Sequence, residues 1–154
     1  MNNVSLKALG LVAVVALAVV LTPALRSATA DQAAAKPSFV LNITSGSEDL
    51  HSVTMALQLA GHALDDGRDV SLFFNVRGPE LARADLSEKV AFHGNPPIRK
   101  MIASLQERGA TVIACPHCME VLGVTADDLL PGARVATREL LFGKLPPGAV
   151  VFTY

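Results

Sequence analysis

Both cysteines of this 154-residue chain lie in one tetrapeptide, Cys115-Pro116-His117-Cys118. Two thiols at this spacing can exchange disulfides, pass sulfur between them, or hold a soft metal ion. The β-prone run Thr111-Val112-Ile113-Ala114 directly precedes them. A strand ending at a cysteine with proline next predicts a strand running into the first turn of a helix, where the missing proline N–H costs nothing. The unpaired N–H groups and partial positive charge of that turn favour a thiolate at Cys115. Cys118 then falls on the same side of the turn, within disulfide reach. His117 adds an imidazolium beside the thiolate. The bland alternative is two small buried cysteines packing as hydrophobes.

Metal binding is a second chemistry for the same residues. Cys115, Cys118, His117 and Met119 are soft ligands suited to Cu(I) or Zn(II), but four adjacent residues need help from elsewhere to close a tetrahedral site. The thiol readings therefore come first, with no resident metal expected. The sequence holds no Ser-His-Asp set, no Gly-rich phosphate loop followed by lysine and no H-E-x-x-H, so neither a hydrolase nor a cofactor enzyme is indicated.

The elements that must position these residues alternate along the chain. Phe39 to Thr44 is a short strand pattern, and Ser45-Gly46-Ser47-Glu48-Asp49 a turn. Leu50, Val53, Leu57, Ala60 and Leu64 recur at helical spacing until Asp65-Asp66-Gly67. Val70 to Val76 is a second strand, apolar enough on both faces for a parallel sheet. Arg77 to Pro97 is irregular, with a short helix expected around Pro79 to Ala84. A helix then runs from Pro97 to Arg108, and Thr111 to Ala114 is the third strand. Pro116 to Leu122 is a short helix closed by Gly123, followed by a turn over 127–132. A strand at 134–137, a helix at 138–144 and a last strand at 149–154 complete the order. This predicts an α/β fold, a three-layer α/β/α domain with a mostly parallel five-stranded sheet.

Ligands of such sheets bind beyond the carboxyl ends of the strands. Those ends here are Ser45-Gly46-Ser47, Asn75-Val76-Arg77 and Cys115. Ser45, Ser47, Asn75 and Arg77 are accordingly the expected substrate-binding residues, with Arg77 suited to a thiolate or an anionic sulfur compound. Ser45, Ser47 and Asp49 also compete as caps of the following helix. His51 lies within reach of this end, His62 on an exposed face, and His93 in the irregular stretch that folds over it.

The N-terminus addresses the compartment. Lys7 precedes an unbroken apolar stretch of 14 residues from Ala8 to Leu21, and Ala28-Thr29-Ala30 has the small residues of a signal-peptidase site. Pro23 interrupts the apolar run, and a membrane span needs about 20 such residues. The expected organisation is a signal peptide over 1–30, a flexible leader over 31–37 and one domain over 38–154, periplasmic or secreted. Membrane association would require that the N-terminal segment be retained. The first 30 residues carry two of the 13 basic residues, Lys7 and Arg26, and none of the 14 acidic ones, so the remaining 124 carry a net charge of −3. No basic stripe is left for nucleic acid. An oxidising compartment makes a disulfide one resting state of the pair. The sequon Asn42-Ile43-Thr44 falls in a predicted strand and is not a glycosylation site.

Cys-Pro-His-Cys is also the tetrapeptide of the strongly oxidising periplasmic thioredoxin-fold proteins, where it follows the first main strand. Here it begins 85 residues into the 124-residue remainder, after two strand–helix units, so four residues do not transfer that fold. A longer resemblance covers nearly the whole domain. Leu57 to Gly67 with Val70 to Phe74, Glu107 to Cys115 with Gly123-Val124, and the closing Ala149 to Tyr154 together resemble the DsrE/DsrF-like family. The resemblance implies a flavodoxin-like domain, assembly into trimers or hexamers, and sulfur relay through a persulfide on one cysteine, which maps onto Cys115. Relay members are usually cytoplasmic and need no second cysteine, so Cys118 and the secretion signal are departures. A persulfide on Cys115 attacked by Cys118 would release sulfide and leave a disulfide. The classes left open are sulfurtransferase and thiol–disulfide exchange, with a sulfur donor or thiol-containing protein as partner. Short helices over a five-stranded sheet also leave apolar surface for a further subunit.

Overall fold

The computed structural model describes residues 36–154. The expected signal peptide, and the leader up to residue 35, lie outside the described residues. Lys36 pairs with the Asp66 carboxylate. Among the described residues there are five strands: β1 (Phe39–Ile43), β2 (Val70–Phe74), β3 (Thr111–Ala114), β4 (Arg134–Val135) and β5 (Val150–Thr153). Every pairing is parallel, in the order β4-β3-β2-β1-β5. The helices are α1 (Leu50–Asp65), α2 (Ile98–Glu107), α3 (Pro116–Leu122) and α4 (Arg138–Gly143). The α/β class and the parallel five-stranded sheet expected from the sequence are both observed.

Three expected elements change their bounds. The helix anticipated around 79–84 is a 3₁₀ segment, Gly78–Ala82, because its chain leaves to bridge Arg83 to Leu129 after too few residues for an α-turn to propagate. The fourth strand shrinks to two residues, and β2 ends at Phe74, where Asn75 and Val76 turn out of the ladder. Asp49 caps α1, its carboxylate accepting from the Ser52 N–H at 3.1 Å. Gly123 closes α3 in the left-handed region at φ 65°, a conformation that costs glycine nothing.

Alternation in the strands decides what is core. Phe39, Leu41 and Ile43 of β1, Val70, Leu72 and Phe74 of β2, and Val112 and Ala114 of β3 cluster with Val53, Ala56, Leu57 and Ala60 of α1 and Ile98, Ile102 and Leu105 of α2. Right-handed crossovers from β1 to β2 to β3 put both helices on this face. Each fully buried side chain such as Leu41, Leu72 or Phe74 contributes about 1.5–3 kcal/mol. Val40, Ser71 and Ile113, on the other face, are buried too, which is why the strands read as unbroken apolar runs.

Register is what matters for the site. Ile43 pairs with Phe74, and Phe74 with Ala114, so three central strands end level. The residues that follow, Thr44, Asn75 and Cys115, therefore leave the sheet side by side. Asn75 donates its N–H to the Ile43 carbonyl at 2.8 Å, and Cys115 to that of Phe74 at 2.9 Å.

Candidate functional site

Cys115 is the N-cap of α3, in extended conformation at φ −69° and ψ 119°. Pro116 opens the helix, and the Cys115 carbonyl accepts the Met119 N–H at 2.9 Å. The strand-to-helix junction read from the sequence is therefore present. Both cysteines are free thiols and half-buried.

Cys118 sits in a built environment. Its thiol donates to Asn75 Oδ1 at 3.0 Å and accepts from the Val76 N–H at 3.2 Å. The same Val76 N–H reaches Asn75 Oδ1 at 2.9 Å, which fixes the amide's orientation with its oxygen toward the sulfur. Burial pushes the Cys118 thiol up from its ordinary value, and the neighbouring Cys115 thiol acts in the same direction. The Val76 N–H pulls against them, and the charge of a Cys115 thiolate adds to the upward side. Cys118 is thus a thiol that stays protonated beside its partner.

The loop that carries these donors is held tightly. Val76 has φ 51°, left-handed backbone that a β-branched residue rarely adopts. Gly78 donates its N–H to the Asn75 carbonyl at 2.7 Å, and a Cβ there would lie 2.4 Å from the Ile43 carbonyl oxygen. Glycine is required by that close approach. At Gly46 a Cβ would first meet the carboxylate ends of Glu80 and Glu48, flexible side chains that can move aside.

The other expected residues divide. Asn75 meets Cys118 directly. Ser47 donates both its N–H and its hydroxyl to Glu80 Oε1 at 2.7 Å. Arg77 pairs with Glu80 at 2.9 Å and with Glu48 at 3.3 Å, so its charge is met by two carboxylates. Burial opposes ionisation of Glu80, yet the Ser47 N–H, the Ser47 hydroxyl and Arg77 together hold it below the usual carboxylate range. Ser45 gives its N–H to the Tyr154 carbonyl, which also takes the Thr44 N–H and hydroxyl. That carbonyl fills the end of the sheet between β1 and β5.

His117 projects into solvent, 83% exposed, its Nδ1 3.8 Å from Glu120. His51 stacks on Phe92 at 4.7 Å between ring centroids, and His93 lies edge-on to Phe92. The irregular stretch thus runs along α1, with Gln58 also donating to Asn95. His62 is exposed, as expected. Met119, the fourth ligand of the metal alternative, is instead a core residue. One turn after Cys115, its side chain is carried back under the helix against the sheet. No group of three or more His, Cys, Asp and Glu placed to hold a metal occurs among the described residues. With Met119 in the core and His117 beside Glu120, the donor set of that alternative does not converge.

Val76, Gly78 and Glu80 were not singled out by their sequence. Gly78-Pro79 after a strand was the available signal for a close approach, whereas valine is among the last residues expected at positive φ. A groove of about 600 Å³ between α1 and α2, floored by Leu57, Met101 and Leu105, includes neither cysteine. Gly61 lies in its wall.

Fold and site together define a parallel α/β protein that presents two thiols at the carboxyl edge of its central strands. The chain belongs to the DsrE/DsrF-like family, whose model matches residues 38–153, a family whose fold is generally one of sulfur relay. It is 26% identical over 116 residues to the uncharacterized protein MJ0989 of Methanocaldococcus jannaschii, covering 75% of this chain and 98% of that one. Among solved structures it is similar to the ychN protein of E. coli, with TM-score 0.64, 18% identity, and coverage of 77% of this chain and 99% of that one. It is also similar to MTH1491, a protein of unknown function from Methanobacterium thermoautotrophicum, with TM-score 0.54, 17% identity, and coverage of 77% and 100%. At these identities the two structures establish the fold.

Proposed function

We propose that this is an extracytoplasmic sulfur-relay protein in which Cys115 carries sulfane sulfur and Cys118 discharges it. The observation that carries the reading is the unequal pair. Cys115 opens a helix at the strand end, while the Cys118 thiol one turn later donates to Asn75 Oδ1 and accepts the Val76 N–H. Two thiols in the same setting would have no preferred direction of attack. Unequal ones divide the labour of nucleophile and resolving thiol.

In the loading step the Cys115 thiolate attacks the outer sulfur of a donor persulfide, and the donor leaves as its thiol. In the release step Cys118 attacks the Cys115 sulfur. The S–S bond of the persulfide breaks, the Cys115–Cys118 bond forms, and the Cys118 proton leaves with the outgoing sulfide. The sulfane sulfur is reduced to sulfide, and the two cysteines are oxidised to a disulfide.

The domain follows a signal peptide over 1–30 in this reading, and a leader to residue 37. Val76 and Val121, 56% and 74% exposed, flank the cysteines with the apolar surface a donor or acceptor protein would cover. The exposed Phe142, Val151 and Phe152 suit a homo-oligomer, a trimer or hexamer.

Intact mass after polysulfide or thiosulfate treatment tests the reading. The Cys118→Ser protein should gain about 32 mass units per sulfur on Cys115, and Cys115→Ser should gain none. No sulfur uptake, with efficient oxidation of a reduced test protein, would replace sulfur relay by disulfide exchange.

A further inference from the structure

We propose that Asn75 and the backbone N–H of Val76 form a clamp that parks the Cys118 thiol, making Asn75 a positioning residue that decides when Cys118 attacks. The proposal rests on the division of labour just described. Its observations are separate: a side-chain oxygen at 3.0 Å, a backbone donor at 3.2 Å, and a non-glycine left-handed residue that aims the donor.

The two halves of the clamp act on different protonation states. Asn75 Oδ1 accepts the Cys118 proton and so favours the neutral thiol. An amide oxygen does not take that proton away, so Asn75 holds Cys118 without activating it. The Val76 N–H favours the thiolate instead, as a preset donor to a negatively charged sulfur. It is shared between Asn75 Oδ1 and the sulfur. When Cys118 loses its proton, the Asn75 contact is lost and the Val76 contact strengthens. The charge then passes to the departing sulfide, which takes up the proton, as the Cys115–Cys118 bond forms. The balance tips once, at the moment of attack.

The strain at Val76 belongs to this function. A glycine would adopt the turn freely, yet valine stands there with its side chain largely exposed, contributing little burial in return. The rest of the loop is pinned so that the donor cannot drift. Asn75 is tied to β1, Arg77 donates its N–H to the Thr44 carbonyl at 3.0 Å, and Gly78 is wedged against Ile43.

Other charges near Cys118 are few and paired. Cys115 faces it from the start of α3. Arg77, from the segment packed on α3, pairs with both Glu80 and Glu48, so that group carries one net negative charge. His117 and Glu120 of α3 pair in solvent.

The test is the pH dependence of alkylation at Cys118 in a Cys115→Ser background, which reads the clamp whether or not sulfur is ever loaded. Asn75→Ala removes the acceptor of the thiol proton, and alkylation at pH 7.5 should rise roughly three- to tenfold. Asn75→Asp keeps the shape and adds a charge beside the sulfur, and the rate should fall by roughly tenfold. Val76→Gly keeps the N–H but frees its aim, and should slow alkylation while raising the melting temperature. Opposite signs for the two Asn75 variants exclude simple loosening, which would raise both rates. If both move the same way, or neither moves beyond about twofold, the clamp is overturned. Failure of Cys118→Ser to take up sulfur would instead sink the relay reading and leave this result standing.

Discussion

The centre of the sheet and its two edges are built to different standards. β1, β2 and β3 are buried almost throughout, end in register and pass straight into the loops that hold the thiols. β4 is two residues long, α4 has no buried residue, and β5 has exposed Val151, Phe152 and Thr153. One region positions chemistry to tenths of an ångström. The other leaves short elements and exposed side chains. Burial is concentrated in the strands that end at the two thiols, while exposed Phe142, Val151 and Phe152 lie at the edge.

The largest effect should come from the central region. Cys115→Ser should abolish sulfur uptake entirely, whereas Phe142→Ser, at the edge, should leave uptake per chain intact while lowering the assembled mass by light scattering. Loss of uptake in the edge variant would show that the two regions are not independent.

Phenylalanine truncation sharpens the contrast in stability. Phe74→Ala, fully buried behind the site, should cost about 3–5 kcal/mol in a denaturant titration. Phe152→Ala, 43% exposed and tilted against Phe39 at 5.2 Å, should cost under about 1.5 kcal/mol in the monomer. Equal costs would erase the distinction between centre and edge.

Gly78→Ala probes the close approach beneath the clamp. Its methyl would overlap the Ile43 carbonyl oxygen, with an expected cost of about 1–3 kcal/mol and a change in Cys118 alkylation. Gly148→Ala, before β5, has nothing within 4 Å of the new methyl, though its φ of 85° still imposes about 1 kcal/mol. That variant should leave Cys118 unchanged.

The smallest effect is on pH. Glu80 ionises below the usual carboxylate range, so its contribution is complete above the unfolded value near 4.3 and is lost as pH falls through the lower folded value. Acid should therefore weaken the Ser47–Glu80–Arg77 contacts before the sheet itself. Stability measured between pH 5 and pH 3 should decline less steeply in Glu80→Gln than in the parent. Parallel curves would assign the acid sensitivity elsewhere.

Much of this was open to reading because period-2 and period-3.6 patterns report which face is buried. The strands 39–43 and 70–74 lie within the expected runs 39–44 and 70–76, and 111–114, the cap at Gly123 and the junction at Cys115 fell where expected. Asn75 was legible as a strand-end residue, and its partner was not. The metal alternative failed at Met119 because helical geometry sends the residue one turn after an N-cap back under the helix. Val76 left no trace in the pattern, since its conformation runs against the preference of its residue type.

Local chemistry in the sequence was enough to specify a parallel α/β chain with one thiol at the end of a strand and another a turn later. Periodicity, proline at the first helical position and glycine after the last are all short-range signals. Which carbonyl, amide or carboxylate each group meets is a long-range matter, set by strand register and loop closure. The level ends of β1, β2 and β3 put Asn75 and Val76, more than 40 residues earlier in the chain, on Cys118. The same packing turned Arg77 toward Glu48 and Glu80 rather than leaving it as a free cation. Only the folded sheet makes two chemically identical thiols different, because desolvation and hydrogen-bond partners are properties of neighbours in space.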